Sequence, residues 1–415
     1  MTQPKPTRVL VVAINFAPEL TGIGKYVGEM CAGLAAAGVE VRVVTAPPYY
    51  PAWSVAAPYS AWRYRRECLA GATVYRCPLY VPRRAGGIAR LLHLASFALS
   101  SLPVILGLAL AWRPQLLFVV EPPLACAPAV LLASRLCGAR AWLHVQDFEV
   151  DAAFSLGLLK APWARRAALA TESWLMQRFD RVSSISRRML EVLGRKGVAE
   201  GRIGFFPNWV DSDRVRPGVL HNALRKELGI ADDTQVLLYA GNMGEKQGLD
   251  TLVDVAREFV HQPRVLFLMC GDGAARARIE AAAADLPTMR FLPLQPLDRL
   301  NELLNLAQVH LLPQRADVED LVLPSKLTAI LASGRPVVAS ATAGSELALA
   351  AATGGLVVAP GDSRAFAVAL RSLLEDNGLQ QRLGLTGRAY AVHHWERQAV
   401  LQRLRDDLNA VLAQN

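Results

Sequence analysis

Three loops at strand ends carry the residue types best suited to holding an anion. The strongest is Leu238-Tyr239-Ala240-Gly241-Asn242-Met243-Gly244-Glu245-Lys246-Gln247-Gly248, an apolar run that enters a loop with one lysine and then a helical pattern. Backbone N–H groups around Gly241, Asn242 and Gly244, with Lys246 beside them, suit a diphosphate. The next apolar run ends in Cys270-Gly271-Asp272-Gly273, a second glycine turn before a helix. Leu321-Val322-Leu323-Pro324-Ser325-Lys326-Leu327 enters a third helix with a hydroxyl and a lysine, Ser325 and Lys326, near its start. Each loop alone is ordinary turn chemistry; the three together describe a pocket for a nucleotide diphosphate.

Near the start, Asn15–Tyr26 places Gly22 and Gly24 ahead of a helix whose first N–H groups form a ready anion site. It is not a dinucleotide fingerprint. The glycines come well after the first strand, and the second strand ends at Val44-Thr45 with no carboxylate for a ribose. No nicotinamide or flavin cofactor is expected.

Leu143–Asp151 combines one histidine with three carboxylates at a strand end, the place where open α/β sheets put their ligands. His144 there can donate to a substrate hydroxyl, and Asp147 can accept from one or act as a base. A packed core histidine is the plainer alternative. Asp147, Glu149 and Asp151 lack a second cluster to complete a coordination sphere, so no metal is expected. Asp211-Ser212-Asp213 reads as D-x-D, but after Pro207-Asn208 turn chemistry explains it. Ser186 reads as a helix cap, and Ser183 and Ser184 as strand residues.

These loops need elements to hold them. Short apolar β-rich runs alternate with helical patterns throughout. Strands are expected at Arg8–Ile14, Val39–Thr45, Thr73–Arg76, Gln115–Val120, Arg140–Val145, Arg181–Ile185 and Arg202–Phe205. A second series follows at Gln235–Ala240, Arg264–Cys270, Met289–Leu292, Gln308–Leu312, Pro336–Ala339 and Gly355–Val358. Continuous apolar strands between amphipathic helices mean parallel sheets covered on both faces. Two series mean two doubly wound α/β domains, which a chain of 415 residues accommodates. The boundary falls after Phe206, giving residues 1–207, 208–392 and a closing helical segment, 393–415.

Charge is lopsided. Residues 1–215 hold 25 basic and 14 acidic side chains; the rest hold 20 and 22. The basic excess sits wholly in the first half, which calls for an anionic partner. There, Leu91–Trp112 is long and apolar enough to consider as a membrane span. His93, three serines and Pro103 argue instead for a buried or interfacial helix beside Arg63, Arg65, Arg66, Arg83, Arg84 and Arg90. Six cysteines without C-x-x-C pairing read as free cytosolic thiols, and Met1–Leu10 has no apolar signal core. Nucleic acid is excluded, since no aromatic-and-basic stacking pattern or reading helix appears.

The motifs NFAPELTGIGKY, HVQDFEVDAAFSLG, PNWVD, GNMGEKQGL and LPSKLTAILASGRPVVAS resemble GT-B glycosyltransferases of the retaining family 4, of the colanic-acid type found in exopolysaccharide and O-antigen assembly. The resemblance covers essentially the whole chain. It implies two Rossmann-like domains facing across a cleft, acceptor on the first, nucleotide sugar on the second, and a last helix crossing back. By motif position, His144 matches the active-site histidine that contacts the transferred sugar. Lys246 matches the lysine that neutralises the leaving diphosphate, and the Gly22 loop lies near donor phosphates and sugar. Ser325 and Lys326 fall where phosphate or nucleoside is held.

Two departures stand out. Asn242 replaces the usual arginine, a charge that Lys326 could restore. The family's paired glutamates fall on Leu321 and Ala329, so Glu319 and Asp320 are the available substitutes. The resemblance implies transfer of a hexosyl residue, fucose-like or N-acetylhexosamine-type, from a nucleotide-diphosphate sugar to a polyprenyl-pyrophosphate-linked saccharide. Retention, same-face attack and independence of metal and cofactor go with it, at the cytoplasmic face of an anionic inner membrane. A sugar-nucleotide epimerase and a non-catalytic nucleotide-sugar-binding protein are the alternatives.

Overall fold

The computed structural model describes residues 6–19, 22–82, 87–150, 162–315 and 325–414, apart from the side chains of residues 162 and 246. The chain forms two compact units, one of Met1–Pro207 with Leu401–Asn415 and one of Asn208–Val400.

Unit 1 is built on an eight-stranded sheet. Its strands are β1 (Arg8–Val12), β2 (Glu40–Thr45), β3 (Arg65–Leu69), β4 (Ala72–Arg76), β5 (Leu116–Glu121), β6 (Arg140–Val145), β7 (Arg181–Ser184) and β8 (Ile203–Phe205). The order is β3-β4-β2-β1-β5-β6-β7-β8, parallel except for the β3–β4 pair. Every residue of β5 is buried, as expected of a strand covered on both faces. β3 is the strand that hydrophobic pattern does not announce. Its sequence, RRECL, is mostly charged, and it lies at the sheet edge where charge blocks further pairing. Ala70 and Gly71, both at positive φ, turn it tightly into β4.

Helix Gly87–Trp112 is continuous, with Pro103 inside it. One side, including His93, Leu94, Phe97, Ser101, Ile105, Leu108 and Trp112, is buried in unit 1. The other is an apolar stripe open to solvent, with Ile88, Leu92, Leu99 and Leu110 at 75%, 55%, 73% and 56% exposure. The neighbouring helix Ala127–Cys137 adds exposed Leu132 and Leu136. Exposed Tyr64 lies alongside, its hydroxyl donating to Ser100 O at 2.9 Å.

Helix Arg397–Ala413 ends the chain. Its Leu401 lies where a Cβ on Gly33 would stand 2.8 Å from Cδ1. Asp407 on the same helix accepts from Arg181 at 2.8 Å.

Unit 2 carries a six-stranded parallel sheet of β9 (Gln235–Ala240), β10 (Val265–Cys270), β11 (Met289–Leu292), β12 (Val309–Leu312), β13 (Val337–Ser340) and β14 (Gly355–Val358). The order is β11-β10-β9-β12-β13-β14. β9 and β10 are paired neighbours, so their carboxyl ends lie side by side, and the strand order switches between β9 and β12. Asp211 accepts from the N–H groups of Asp213 and Arg214 at 3.2 and 3.1 Å, the turn expected of D-x-D here. Its other oxygen meets Arg397 at 2.9 Å.

Candidate functional site

In unit 2 the loops after β9 and β10 are packed backbone to backbone. Met243 N donates to Asp272 O at 2.8 Å, and Ala275 N to Met243 O at 2.9 Å. Glycine is required at the crossing: a Cβ on Gly271 would lie 1.9 Å from Gly241 O, and one on Gly273 2.6 Å from Met243 O. Gly241, Gly271 and Gly273 all have φ between 139° and 152°, which costs other residues strain. A Cβ on Gly244 would meet Asn242 Nδ2 at 3.2 Å, so these two residues share the crossing. Asp272 is tied locally, its Oδ1 accepting from Gly273 N at 2.8 Å.

Lys326 reaches this loop from the start of helix Ser325–Ala332. A Cβ on Gly241 would meet its Cε at 3.4 Å. Its Nζ donates to Tyr239 Oη at 2.9 Å and to Gln247 Oε1 at 2.7 Å, and lies 4.4 Å from the centre of the Tyr239 ring. Tyr239 Oη in turn donates to Asn242 O at 2.6 Å. Burial pushes the Lys326 amine down to about 7. Ser325 is exposed, its carbonyl taking the Thr328 hydroxyl at 2.7 Å. Residue 246 sits in the single helical turn Glu245–Gln247. Glu319 and Asp320 lie outside the described residues.

In unit 1 the loops after β1 and β2 are cross-tied by two residues that sequence reasoning passed over. Glu19 Oε1 accepts from the N–H groups of Tyr49 and Tyr50, both at 3.1 Å, while Oε2 accepts from Asn15 Nδ2 at 2.9 Å. Burial raises its carboxyl above the usual range against these bonds. Arg76, 2% exposed, donates to Ala17 O and Ala46 O at 2.6 and 3.0 Å and pairs with Glu67 at 2.7 Å. Gly22, at φ 62°, lies against the Tyr50 ring. The available signal was a glutamate inside an otherwise apolar loop and an arginine at the end of a buried strand.

His144, on β6, is two strands from β1, with β5 between them. It is 2% exposed and both ring nitrogens are engaged. Ser183 Oγ is 2.9 Å from Nδ1 and also accepts from Trp142 Nε1 at 2.8 Å. Gln146 Nε2 is 3.0 Å from Nε2, which makes Nε2 the acceptor and Nδ1 the N–H. The rings of Phe118 and Phe206 stand 5.8 and 5.0 Å away. Desolvation lowers the imidazole to about 3, so it is neutral across the physiological range. Asp147 follows in the loop, half-buried.

Glu149 faces inward. Its Oε2 accepts from Leu124 N at 2.8 Å, while its own N–H donates to Glu121 Oε1 at 3.3 Å. Glu121, fully buried at the end of β5, is held well above the usual carboxyl range by burial, then by Glu172 and Glu149. Lys196 donates to Glu172. This internal cluster knits the loops after β5 and β6 to the helices that follow. Among the described residues no group of His, Cys, Asp and Glu could hold a metal ion.

Comparison with known proteins gives the same architecture. Residues 21–209 match the glycosyl transferase 4-like domain and residues 234–376 the glycosyl transferases group 1 family. The chain is 43% identical over 411 residues to the protein named colanic acid biosynthesis glycosyl transferase WcaI of Escherichia coli (strain K12), covering 97% of this chain and 99% of that one. Sucrose-phosphate synthase of Thermosynechococcus elongatus shares the fold at TM-score 0.76 and 18% identity, over 99% of this chain and 100% of that one. HepE of Anabaena, solved with UDP and glucose, shares it at TM-score 0.70 and 14% identity, over 97% and 100%.

Proposed function

The chain belongs to the GT-B glycosyltransferases built from glycosyl transferase 4-like and group 1 domains, and on that premise we propose that it transfers a hexosyl residue from a nucleotide-diphosphate sugar to a lipid-linked saccharide in exopolysaccharide or O-antigen synthesis, with retention. The kinship to the protein named WcaI supports the exopolysaccharide setting. A fucose-like or N-acetylhexosamine-type sugar and a polyprenyl-pyrophosphate carrier complete the reading.

The observation that carries it is the meeting of Lys326 with the glycine crossing at the end of β9. A lysine beside a glycine turn at one strand end suits the departing diphosphate without a metal, although the N–H groups of Gly241, Met243, Gly271 and Gly273 are already used within the crossing. Lys246 on the same loop adds the second charge, and Glu319 and Asp320 complete the donor contacts. The leaving phosphate accepts the proton of the attacking hydroxyl, which keeps attack on the same face. His144 contributes toward the sugar by exchanging its Gln146 contact, so that Nε2 accepts from a sugar hydroxyl while Nδ1 stays on Ser183, and Asp147 orients the acceptor hydroxyl. Neutral at working pH, the imidazole enters as a hydrogen-bonding group and not as an imidazolium acid.

The open stripe of helix Gly87–Trp112, with Trp62 and Tyr64 and the arginines at 63, 65, 66 and 90 nearby, supports peripheral contact with an anionic cytoplasmic leaflet. Arg83 and Arg84 lie outside the described residues. Binding of UDP- and GDP-sugars, followed by label transfer to a lipid acceptor, tests the reading. An epimerase would convert free donor without an acceptor.

A further inference from the structure

Lys326 is half-buried beside the glycine crossing, and its hydrogen-bonding partners, Tyr239 Oη and Gln247 Oε1, are neutral oxygens. Tyr239 Oη spends its own proton on Asn242 O, so it can only accept from the amine. The two bonds use two N–H groups. A neutral amine has two N–H groups and a lone pair; an ammonium has three N–H groups. The pair of acceptors therefore holds the nitrogen in place in either state and leaves its third position to decide the charge.

We propose that Tyr239 and Gln247 are positioning residues that hold Lys326 ready to take up one proton from solvent when a sugar nucleotide binds, the new N–H then facing a diphosphate oxygen. This rests on the donor-binding reading above and adds a proton linkage to it. The balance is simple: Lys326 passes from amine to ammonium, buffer supplies the proton, and no bond to carbon changes. The tendency of burial to lower this amine to about 7 fits a group whose charge is completed by its ligand. Other titratable groups on the adjoining described elements are Glu245 and Lys246 in the turn before Gln247, Asp272 after β10 and Arg315 after β12; Glu319 and Asp320 lie outside the described residues. Glu245 is paired with Arg278 at 2.9 Å. Desolvation is the cause behind the Lys326 shift, and none of the described charges offsets it.

The test is calorimetric titration of the full chain with UDP-glucose, UDP-N-acetylglucosamine and GDP-fucose in two buffers of different ionisation enthalpy, from pH 6 to pH 9. Their diphosphates are diesters and carry no proton in that range, so they add no titration of their own. The expected result is proton uptake that rises above pH 7 toward one per nucleotide, with affinity falling about tenfold per pH unit once the amine is neutral in the free protein. Lys326→Arg, charged throughout, should bind with a flat pH profile and no uptake. Tyr239→Phe and Gln247→Leu, each checked by thermal melt, should move the midpoint of the uptake curve, which a merely structural role would not do. Binding by the wild-type chain without uptake, or uptake persisting in Lys326→Arg, overturns the linkage while sparing the donor reading. Absence of binding to any of the three nucleotides overturns both.

Discussion

The carboxylate of Glu19 occupies the space a side chain at Gly24 would need: a Cβ built there lies 2.5 Å from Oε2 and 2.8 Å from the Glu19 Cβ. The glycine is thus explained by what it lets Glu19 do, namely accept from the Tyr49 and Tyr50 amides. Gly24→Ala should displace the carboxylate and cost about 1–3 kcal/mol, the usual toll of overpacking. Glu19→Gln should be milder, because an amide oxygen still serves the two N–H groups. Denaturant melts of both variants check the order, which would fail if Gly24→Ala proved neutral.

Replacing the leaving-group charge should hurt more than touching the loop carboxylate. Lys246→Ala should lower kcat about 10²–10³-fold, the range seen when one preorganised electrostatic contact is lost. Asp147→Asn should cost far less. His144→Ala should fall nearer the lysine variant, since it also opens a void among Trp142, Phe118 and Phe206. Because burial keeps the imidazole near 3, the wild-type rate profile should show no inflection from His144 between pH 5 and 8. Initial rates at saturating donor across that range are the check.

Much of this was legible in the chain itself. Strands such as β5 and β9 read clearly because both faces are covered and their residues are continuously apolar. β3 escaped because an edge strand needs charge where a core strand needs valine. The glycine loops read as anion turns from sequence, but sequence could not reveal that Gly271 and Gly273 also let two loops touch. Tyr239 looked like one more core residue; its hydroxyl becomes meaningful only when Lys326, distant in sequence, arrives beside it. Likewise, nothing in HVQDF told that Ser183 and Gln146 would take both nitrogens of His144.

The apolar stripe should govern membrane affinity separately from donor binding. Leu99→Glu or Leu110→Glu should weaken adsorption to vesicles containing anionic lipid by about tenfold or more, given about 1.5–3 kcal/mol for burying such a side chain. Neutralising Arg63, Arg65 and Arg66 together should weaken it further and flatten its salt dependence, at about 1 kcal/mol per arginine. Vesicle sedimentation beside nucleotide binding separates the two effects. Equal adsorption by Leu99→Glu would rule the stripe out as the contact.

Glu121 should leave a mark on stability. Its carboxyl is raised in the fold, so the folded chain holds that proton more tightly than the unfolded chain does. Stability is then greatest below the ordinary carboxyl range and declines as pH rises toward the folded value. Glu121→Gln, neutral at every pH, should lack this share of the decline. Melting temperatures of both proteins from pH 4.5 to 8.5 should therefore diverge, with the variant gaining on the wild type as pH rises; parallel curves would contradict the raised carboxyl.

Transfer with retention defines the proposed reaction. Incubating the full chain with a panel of radiolabelled UDP- and GDP-sugars and a polyprenyl-pyrophosphate-linked saccharide, then assigning the new linkage by NMR, tests it most directly. Label is expected in the lipid fraction from one donor, with the anomeric configuration of that donor kept. Label remaining on an altered free nucleotide sugar, an inverted linkage, or donor binding without any product would contradict it.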